Sequence, residues 1–293
     1  MPIIATPMDI RLSFSSAKLS VVDDSWKRSF PAWVEERARE LEDAPVHAFR
    51  PFSQTHLIVV IAFAALCTIS IVAARRVRPR SRILAERIFS LACIPLFIAN
   101  NHELWLNTHQ FDVRRSLPLH VCDLAALFVP LALALNWRPA RVVLYYFGLL
   151  LSSQGFITPD LDEGPAHLQF WGFWLLHAAV VGAAIYDIGA RGFRPMWRDL
   201  RLAIAIGVIY VIAMVVLDVA IGANYGYVGP TKPELPTVID MLGPFPWRVF
   251  VMSALGIIVT AIATIPWVLV RKRNEQSSYH ERKGVDAERG NCA

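Results

Sequence analysis

Charged residues are scarce in this chain of 293 residues, and their scarcity decides the class of protein. Asp, Glu, Lys and Arg make up 18% of the sequence, whereas soluble domains carry about 25%. Hydrophobic residues make up 55% and the mean hydropathy is +0.43. These values disfavour a soluble enzyme and a disordered chain, and they predict a membrane protein.

Paired cysteines and histidine pairs of the metal-binding kind are missing. The four cysteines are Cys67, Cys93, Cys122 and Cys292, and no CxxC pairing occurs. This pattern predicts neither a zinc ribbon nor a disulfide framework. No HxxxH or HExxH pair is present. A zinc site would have to combine ligands from several helices (His120, Asp123 and His177, with His102 or His167), so we predict no metal and no particular cofactor.

Long apolar runs, by contrast, are abundant. A bilayer core of about 30 Å requires roughly 20 apolar residues per helix, and seven stretches approach that length. They cover residues 56–75, 84–104, 117–136, 141–157, 168–188, 200–221 and 247–270. The sequence therefore predicts an all-α bundle of seven transmembrane helices between residues 56 and 270, embedded in membrane lipids.

The positions of Lys and Arg predict the orientation of this bundle. The net charge of +5 arises mainly from basic residues between the apolar runs, so it indicates topology and not nucleic-acid binding. Basic residues concentrate in the first, third and fifth loops and in the tail, as in the run from Arg75 to Arg82. We therefore predict a multi-pass protein of the cell membrane with its N-terminus outside and its C-terminus in the cytoplasm.

Two segments flank the predicted transmembrane domain. Residues 1–55 form an N-terminal extension, for which an interfacial helix over Asp24–Glu42 and a poorly ordered segment both fit the sequence. Residues 271–293 are basic and polar, which predicts a disordered cytoplasmic tail.

Polar residues within the predicted spans fall mostly in the outer half of the bundle. Ionisable groups in a membrane are costly and mark either function or a buried pair. With the predicted topology, this concentration indicates a cup that opens toward the outer leaflet. The inner half offers Asp187, for which we predict an ion pair with Arg191 or Arg194.

Four residues in the cup are candidates for catalysis. His177 lies in an apolar run, so it is either a general base or a structural histidine bonded across helices. His120 and Asp123 share a helix face at i and i+3, which fits both a carboxylate-oriented histidine and a structural pair. Cys122 is either a nucleophile or a small buried hydrophobe.

Other polar residues near the same end are predicted to contact a substrate. The loop from Gly222 to Trp247 is rich in Gly and Pro, which fits either a structured lid or a rigid connector. The predicted contacts are His102, Glu103, Gln154, His167, Asn224, Tyr225 and Trp247.

Several motifs of the chain resemble those of a known family. They are the runs at 117–123, 153–160, 167–177, 224–226 and 242–247. Over residues 56–270 the chain resembles the YwaF-type bacterial integral membrane proteins, which are related to eukaryotic transmembrane protein 164. The eukaryotic relative is a phospholipid acyltransferase that uses a cysteine and a histidine. The resemblance implies that its histidine corresponds to His177 and that its cysteine position holds Leu119 here.

Three functions fit these observations. The first is a lipid acyl hydrolase or acyltransferase-like enzyme with His177 as general base, His120 and Asp123 as orienting or acid groups, and water, an acceptor hydroxyl or Cys122 as nucleophile. Gln154 or Asn224 would donate to the oxyanion. The second is a binder or transporter of a lipid, small solute or metal, and the third is a structural membrane subunit. Membrane lipids are the only partners that the sequence predicts.

Overall fold

The computed structural model describes residues 49–105, 108–159, 161, 163–230 and 242–290. The predicted N-terminal extension, with its candidate interfacial helix, lies outside these residues apart from its last few positions. Within the described part the secondary structure is helical, with no strand.

Five helices are long and apolar enough to cross a membrane. They are α1 (Gln54–Arg76), α2 (Pro79–Asn100), α5 (Leu168–Gly189), α6 (Trp197–Ile221) and α7 (Trp247–Gly290). In α7 the apolar part is Trp247–Arg271. These helices confirm the prediction of a multi-pass, all-helical membrane protein.

The other two predicted spans have a different structure. The stretch 117–136 contains α3 (Val121–Leu133), whose 13 residues rise only about 20 Å. The stretch 141–157 contains α4 (Arg138–Val143), a π-helix (Leu144–Leu151) and a 3-10 helix (Ser152–Phe156), which follow one another without a break. That these two segments cross the membrane therefore remains a prediction.

Local sequence signals set several helix ends. Ser53 caps α1, because its side chain accepts a hydrogen bond from the backbone N–H of His56. Pro79 starts α2 at a position where a missing N–H does no harm. Gly222 ends α6 in the left-handed region, with φ of 70°.

The centre of the bundle is formed by α3, the π-helix and α5. Val129, Leu144 and Val180, one from each, are fully buried. Half of the apolar stretch of α5 is buried, compared with 6% for α1. The outer helices thus present apolar side chains outward, where the bilayer solvates them, and the helix that carries His177 lies innermost.

The helices define two ends of the bundle. At the histidine end, α1 and α5 begin beside each other, since His56 of α1 contacts Trp174 of α5. At the arginine end, these two helices finish together, since Arg75 donates to the carbonyl oxygen of Gly189.

Buried ion pairs tie the arginine end together. Asp187 pairs with Arg191 at 3.7 Å, as the sequence predicts, and with Arg141 at 2.8 Å. Arg191 also lies 3.8 Å from Glu86 of α2, whose carboxylate accepts from the Tyr186 hydroxyl. Charges that bond to one another in this way offset much of the cost of leaving water, so this cluster is structural.

Candidate functional site

His177 lies in the middle of α5 and is 7% exposed. Its Nδ1 is 2.8 Å from the carbonyl oxygen of Phe173, one turn earlier in the helix. A carbonyl oxygen only accepts, so Nδ1 carries the proton and Nε2 keeps its lone pair. The ring also stacks on Phe173, with centroids 4.2 Å apart. The imidazole is therefore held in the tautomer and orientation that a general base requires.

Gly155 forms the wall beside the free nitrogen. A Cβ built on Gly155 would lie 2.5 Å from His177 Cδ2 and 2.7 Å from His177 Nε2. Only glycine allows the backbone to approach the ring this closely. Among the described residues no hydrogen bond to His177 Nε2 is present. Nε2 is thus available as a base or as an acceptor.

The π-helix precedes Gly155 and sets its position beside the His177 ring. It runs over Leu144–Leu151 and passes directly into the 3-10 helix that contains Gly155. π-helices are rare and occur often at functional sites, where the wider turn redirects the residues that follow.

His56 is a second buried histidine at this end, but its ring is fully bonded. Its Nδ1 accepts from the backbone N–H of Phe52 at 2.9 Å, and its Nε2 donates to the carbonyl oxygen of Phe156 at 3.0 Å. Both nitrogens are therefore engaged by the backbone. His56 ties the start of α1 to the 3-10 helix beside His177, which is a structural role.

His120 and Asp123 lie at the start of α3. His120 is the N-cap residue of α3, and Asp123 lies in the first turn of the helix with its side chain buried. An acidic residue in the first turn interacts favourably with the positive end of the helix dipole. The His120 ring packs edge-on against Tyr225 and near Tyr227. Whether either side chain takes part in catalysis stays a prediction.

Asn224 and Tyr225 organise the chain between α6 and α7. Asn224 Oδ1 accepts from the Gly229 N–H and from the buried Arg248. The Tyr225 hydroxyl donates to the carbonyl oxygen of Val113 and accepts from the backbone N–H of Leu117. Burial raises the pKa of this hydroxyl, which keeps it protonated.

Asp218 anchors the same segment from α6. It is fully buried, and its Oδ1 accepts from the Tyr225 backbone N–H at 2.9 Å. Its second oxygen has no hydrogen-bond partner within the described ranges. Together with the contacts of Asn224 and Tyr225, these bonds hold in place the described residues that follow α6.

The remaining predicted residues lie around the rim. Gln154 is exposed, next to Gly155, and its amide reaches Thr158 Oγ1 at 3.3 Å. His167 is exposed at the N-cap of α5, and Trp247 is 64% exposed at the start of α7. His102 begins a short helical turn after α2, and the side chain of its neighbour Glu103 lies outside the described structure.

The described contacts do not join His177 to the other predicted catalytic residues. The described contacts of His177 are with Phe173, Phe156 and Gly155, and none of its hydrogen bonds or ring contacts reaches His120 or Asp123. Cys122 is half-buried with a free thiol. Among the described residues no three His, Cys, Asp or Glu side chains are placed to hold a metal ion together.

The sequence reasoning missed Gly155 and Glu86. Gly155 follows Ser152, Ser153 and Gln154 near the end of a predicted span, and an isolated glycine in such a segment can mark a close approach of the backbone to another group. Glu86 follows a run of arginines, and nothing in this local sequence indicates that it is buried. Its partners Tyr186 and Arg191 lie about a hundred residues away in the sequence. Only the glycine carried a local signal.

Comparison with known proteins identifies the family. No curated protein and no solved structure matches the chain. The model of the TMEM164 family matches residues 51–264, well over half of the chain, and this range contains α1 to α6, the His177 site and most of the apolar part of α7. The chain therefore belongs to the TMEM164 family.

Proposed function

We propose that this protein is a membrane enzyme that hydrolyses or transfers the acyl chain of a lipid, with His177 as its general base. The observation that carries this proposal is the state of the imidazole. Its Nδ1–H donates to Phe173, while Nε2 faces Gly155 without a hydrogen bond from the described residues. A neutral imidazole fixed in this way is suited to remove a proton near pH 7.

The reaction follows from this geometry. His177 Nε2 takes a proton from water or from the hydroxyl of an acyl acceptor, and the oxygen attacks the ester carbonyl. The tetrahedral intermediate then breaks the bond to the alcohol, which leaves with the proton from His177. Water gives a free fatty acid, whereas an acceptor hydroxyl gives a new ester. Gln154, one residue from Gly155, is the donor best placed to stabilise the oxyanion.

Leu119 bears on the choice between direct and covalent chemistry. Its side chain belongs to an apolar cluster, and its carbonyl oxygen accepts from the Tyr210 hydroxyl at 2.9 Å. The position that holds the cysteine in the eukaryotic relative is thus part of the packing here. We propose that the chain belongs to the bacterial YwaF-type branch of the family. We also propose that its acyl transfer needs no thioester, with Cys122 as the alternative nucleophile.

The test removes the basic nitrogen of His177 and keeps a hydrogen-bond donor to the carbonyl oxygen of Phe173. In His177→Asn, the side-chain amide can still donate to Phe173, but the basic nitrogen is lost. With the protein in vesicles that contain phospholipids labelled in the acyl chain, we expect turnover to fall at least about 100-fold, the lower bound for general-base catalysis. Abundance in the membrane should stay at the wild-type level.

Cys122→Ala is the matched control for a covalent mechanism. If water or an acceptor hydroxyl attacks directly, this variant keeps its turnover. Wild-type turnover in His177→Asn would contradict the role of His177, and loss of turnover in Cys122→Ala alone would establish the covalent route.

We further propose that the histidine end faces the outside of the cell and that the chain crosses the cell membrane seven times. Exposed arginines, among them Arg76, Arg78 and Arg80, lie at the opposite end, and basic loops favour the cytoplasm. Single cysteines at Thr158 and Arg78 in a cysteine-free variant test this with a membrane-impermeant maleimide on intact cells. We expect labelling at 158 and none at 78, and the reverse pattern would overturn the orientation.

A further inference from the structure

The last membrane helix, α7, is hydrogen-bonded to two tyrosines of the π-helix that precedes Gly155. The Tyr145 hydroxyl donates to the carbonyl oxygen of Ala263 at 2.8 Å and accepts from Trp267 Nε1 at 2.8 Å. The Tyr146 hydroxyl lies 2.7 Å from Thr264 Oγ1. The π-helix is thus bonded to α7 through two neighbouring side chains.

The bond between Tyr146 and Thr264 has a defined direction. Thr264 Oγ1 donates its only proton to the carbonyl oxygen of Thr260 at 2.8 Å. The Tyr146 hydroxyl must therefore be the donor to Thr264. Both side chains are fully buried, so no water competes for this bond.

The opposite face of the same segment carries two glycines. A Cβ on Gly148 would lie 3.0 Å from Val180 Cγ1, and one on Gly155 would overlap the His177 ring. These glycines let the segment lie directly against α5. The segment is therefore held between α5, through close backbone contact, and α7, through tyrosine hydroxyls.

The position of Gly155 depends on keeping the π-helix. A π-turn accommodates one more residue than an α-helical turn, so reverting it would rotate the residues that follow by about 100°, the angle of one residue in an α-helix. Gly155 would then leave the His177 ring. Interactions that hold the π-helix in place also hold the wall beside Nε2.

We propose that Tyr146 and Thr264 are positioning residues for the His177 site, and that α7 sets the access to Nε2 through their hydrogen bond. Neither residue touches His177 in the described structure. The predicted effect on turnover rests on the function proposed above, whereas the predicted effect on the reactivity of Nε2 does not.

The experiment measures Nε2 directly in the full-length protein in membranes. Diethyl pyrocarbonate modifies unprotonated imidazole nitrogens, and peptide mass spectrometry gives a rate for each histidine. We expect Tyr146→Phe and Thr264→Val to change the rate at His177 about fivefold or more, the factor equivalent to one lost hydrogen bond. Thr264→Ser keeps a hydroxyl at this position and should restore the wild-type rate.

Tyr186→Phe is the matched control, because it removes a tyrosine hydroxyl of α5 that bonds to Glu86 at the arginine end. We expect it to leave the rate at His177 unchanged. In the turnover assay, Tyr146→Phe should lower kcat by a similar factor with an unchanged KM.

Wild-type rates at His177 in Tyr146→Phe and Thr264→Val would overturn the proposal, and so would an equal change in Tyr186→Phe. If Tyr146→Phe does not reach the membrane, Thr264→Val tests the same bond from its other side. A changed rate at His177 in a protein without any acyl-lipid turnover would leave the positioning role intact and refute the proposed function.

Discussion

Replacing Gly155 by alanine is the most informative single change in this protein. The new Cβ would lie 2.5 Å from His177 Cδ2 and 2.7 Å from Nε2. The optimal separation of two non-bonded carbon atoms is about 3.5–4.0 Å, so the ring or the backbone must shift by about 1 Å. A displacement of this size at a reacting group lowers rates about 100-fold.

The effect on stability should be much smaller than the effect on turnover. Overpacking of this kind costs about 1–3 kcal/mol. Gly155 has no positive φ, so alanine fits its backbone and offsets up to about 1 kcal/mol by restricting the unfolded chain. We expect Gly155→Ala to lose no more than about 2 kcal/mol of unfolding free energy.

The assay compares lipid turnover and thermal unfolding of Gly155→Ala with those of Gly172→Ala. A Cβ on Gly172 would also be close to a neighbour, at 2.8 Å from Asn100 Oδ1. That atom ends a side chain that can rotate, so Gly172→Ala should keep nearly normal turnover. Equal turnover in Gly155→Ala and wild type would refute the view that Gly155 leaves space for Nε2, and equal losses in both variants would point to a general distortion of α5.

Two further changes separate structural from functional polar groups. His56→Leu should cost about 1–3 kcal/mol, because it removes two part-buried hydrogen bonds to the backbone, whereas His177→Leu should abolish turnover with little loss of stability. Thermal unfolding in detergent checks both, and similar unfolding temperatures would contradict the distinction. Asp187→Ala removes the 2.8 Å partner of buried Arg141 and should cost about 3–5 kcal/mol, measured as lost folded protein; an unchanged yield would show that this ion pair does not support the fold.

Local sequence predicts the parts of the fold that depend on local composition. Apolar runs of about 20 residues place four of the five long helices to within a few positions, whereas α7 continues past its predicted end to Gly290, into the tail for which the sequence predicts disorder. The i, i+4 spacing of Asp187 and Arg191 predicts their contact. The apolar run around His177 predicts a histidine whose ring nitrogens have either hydrogen-bond partners on other helices or a function.

The break within the stretch 141–157 could not be predicted in this way. From Val142 to Leu151 its sequence is apolar and has no proline, so apart from Gly148 no residue type in this run opposes a regular α-helix. The π-helix is accompanied by hydrogen bonds from Tyr145 and Tyr146 to residues 118 or more positions away. Contacts of such long range leave no periodic pattern in the sequence.

Spacing also fails to distinguish two roles of an acidic residue near a histidine. The i, i+3 relation of His120 and Asp123 fits a carboxylate that orients an imidazole and equally one that caps a helix. In the structure His120 is the N-cap residue of α3 and Asp123 lies in its first turn. A helix start of this kind needs no catalytic role for either residue, so the motif alone carries little information about catalysis.

Burial alone would not single out His177, since His56 is 4% exposed and His177 7%. The two histidines differ in how many of their nitrogens the backbone engages: both in His56, and only Nδ1 in His177. Nε2 of His177 has no hydrogen bond from the described residues, so this nitrogen adds no bond to the fold. Gly155 brings the backbone against the ring beside it, and the ligand proposed above would explain why a histidine, and not a leucine, stands at this position.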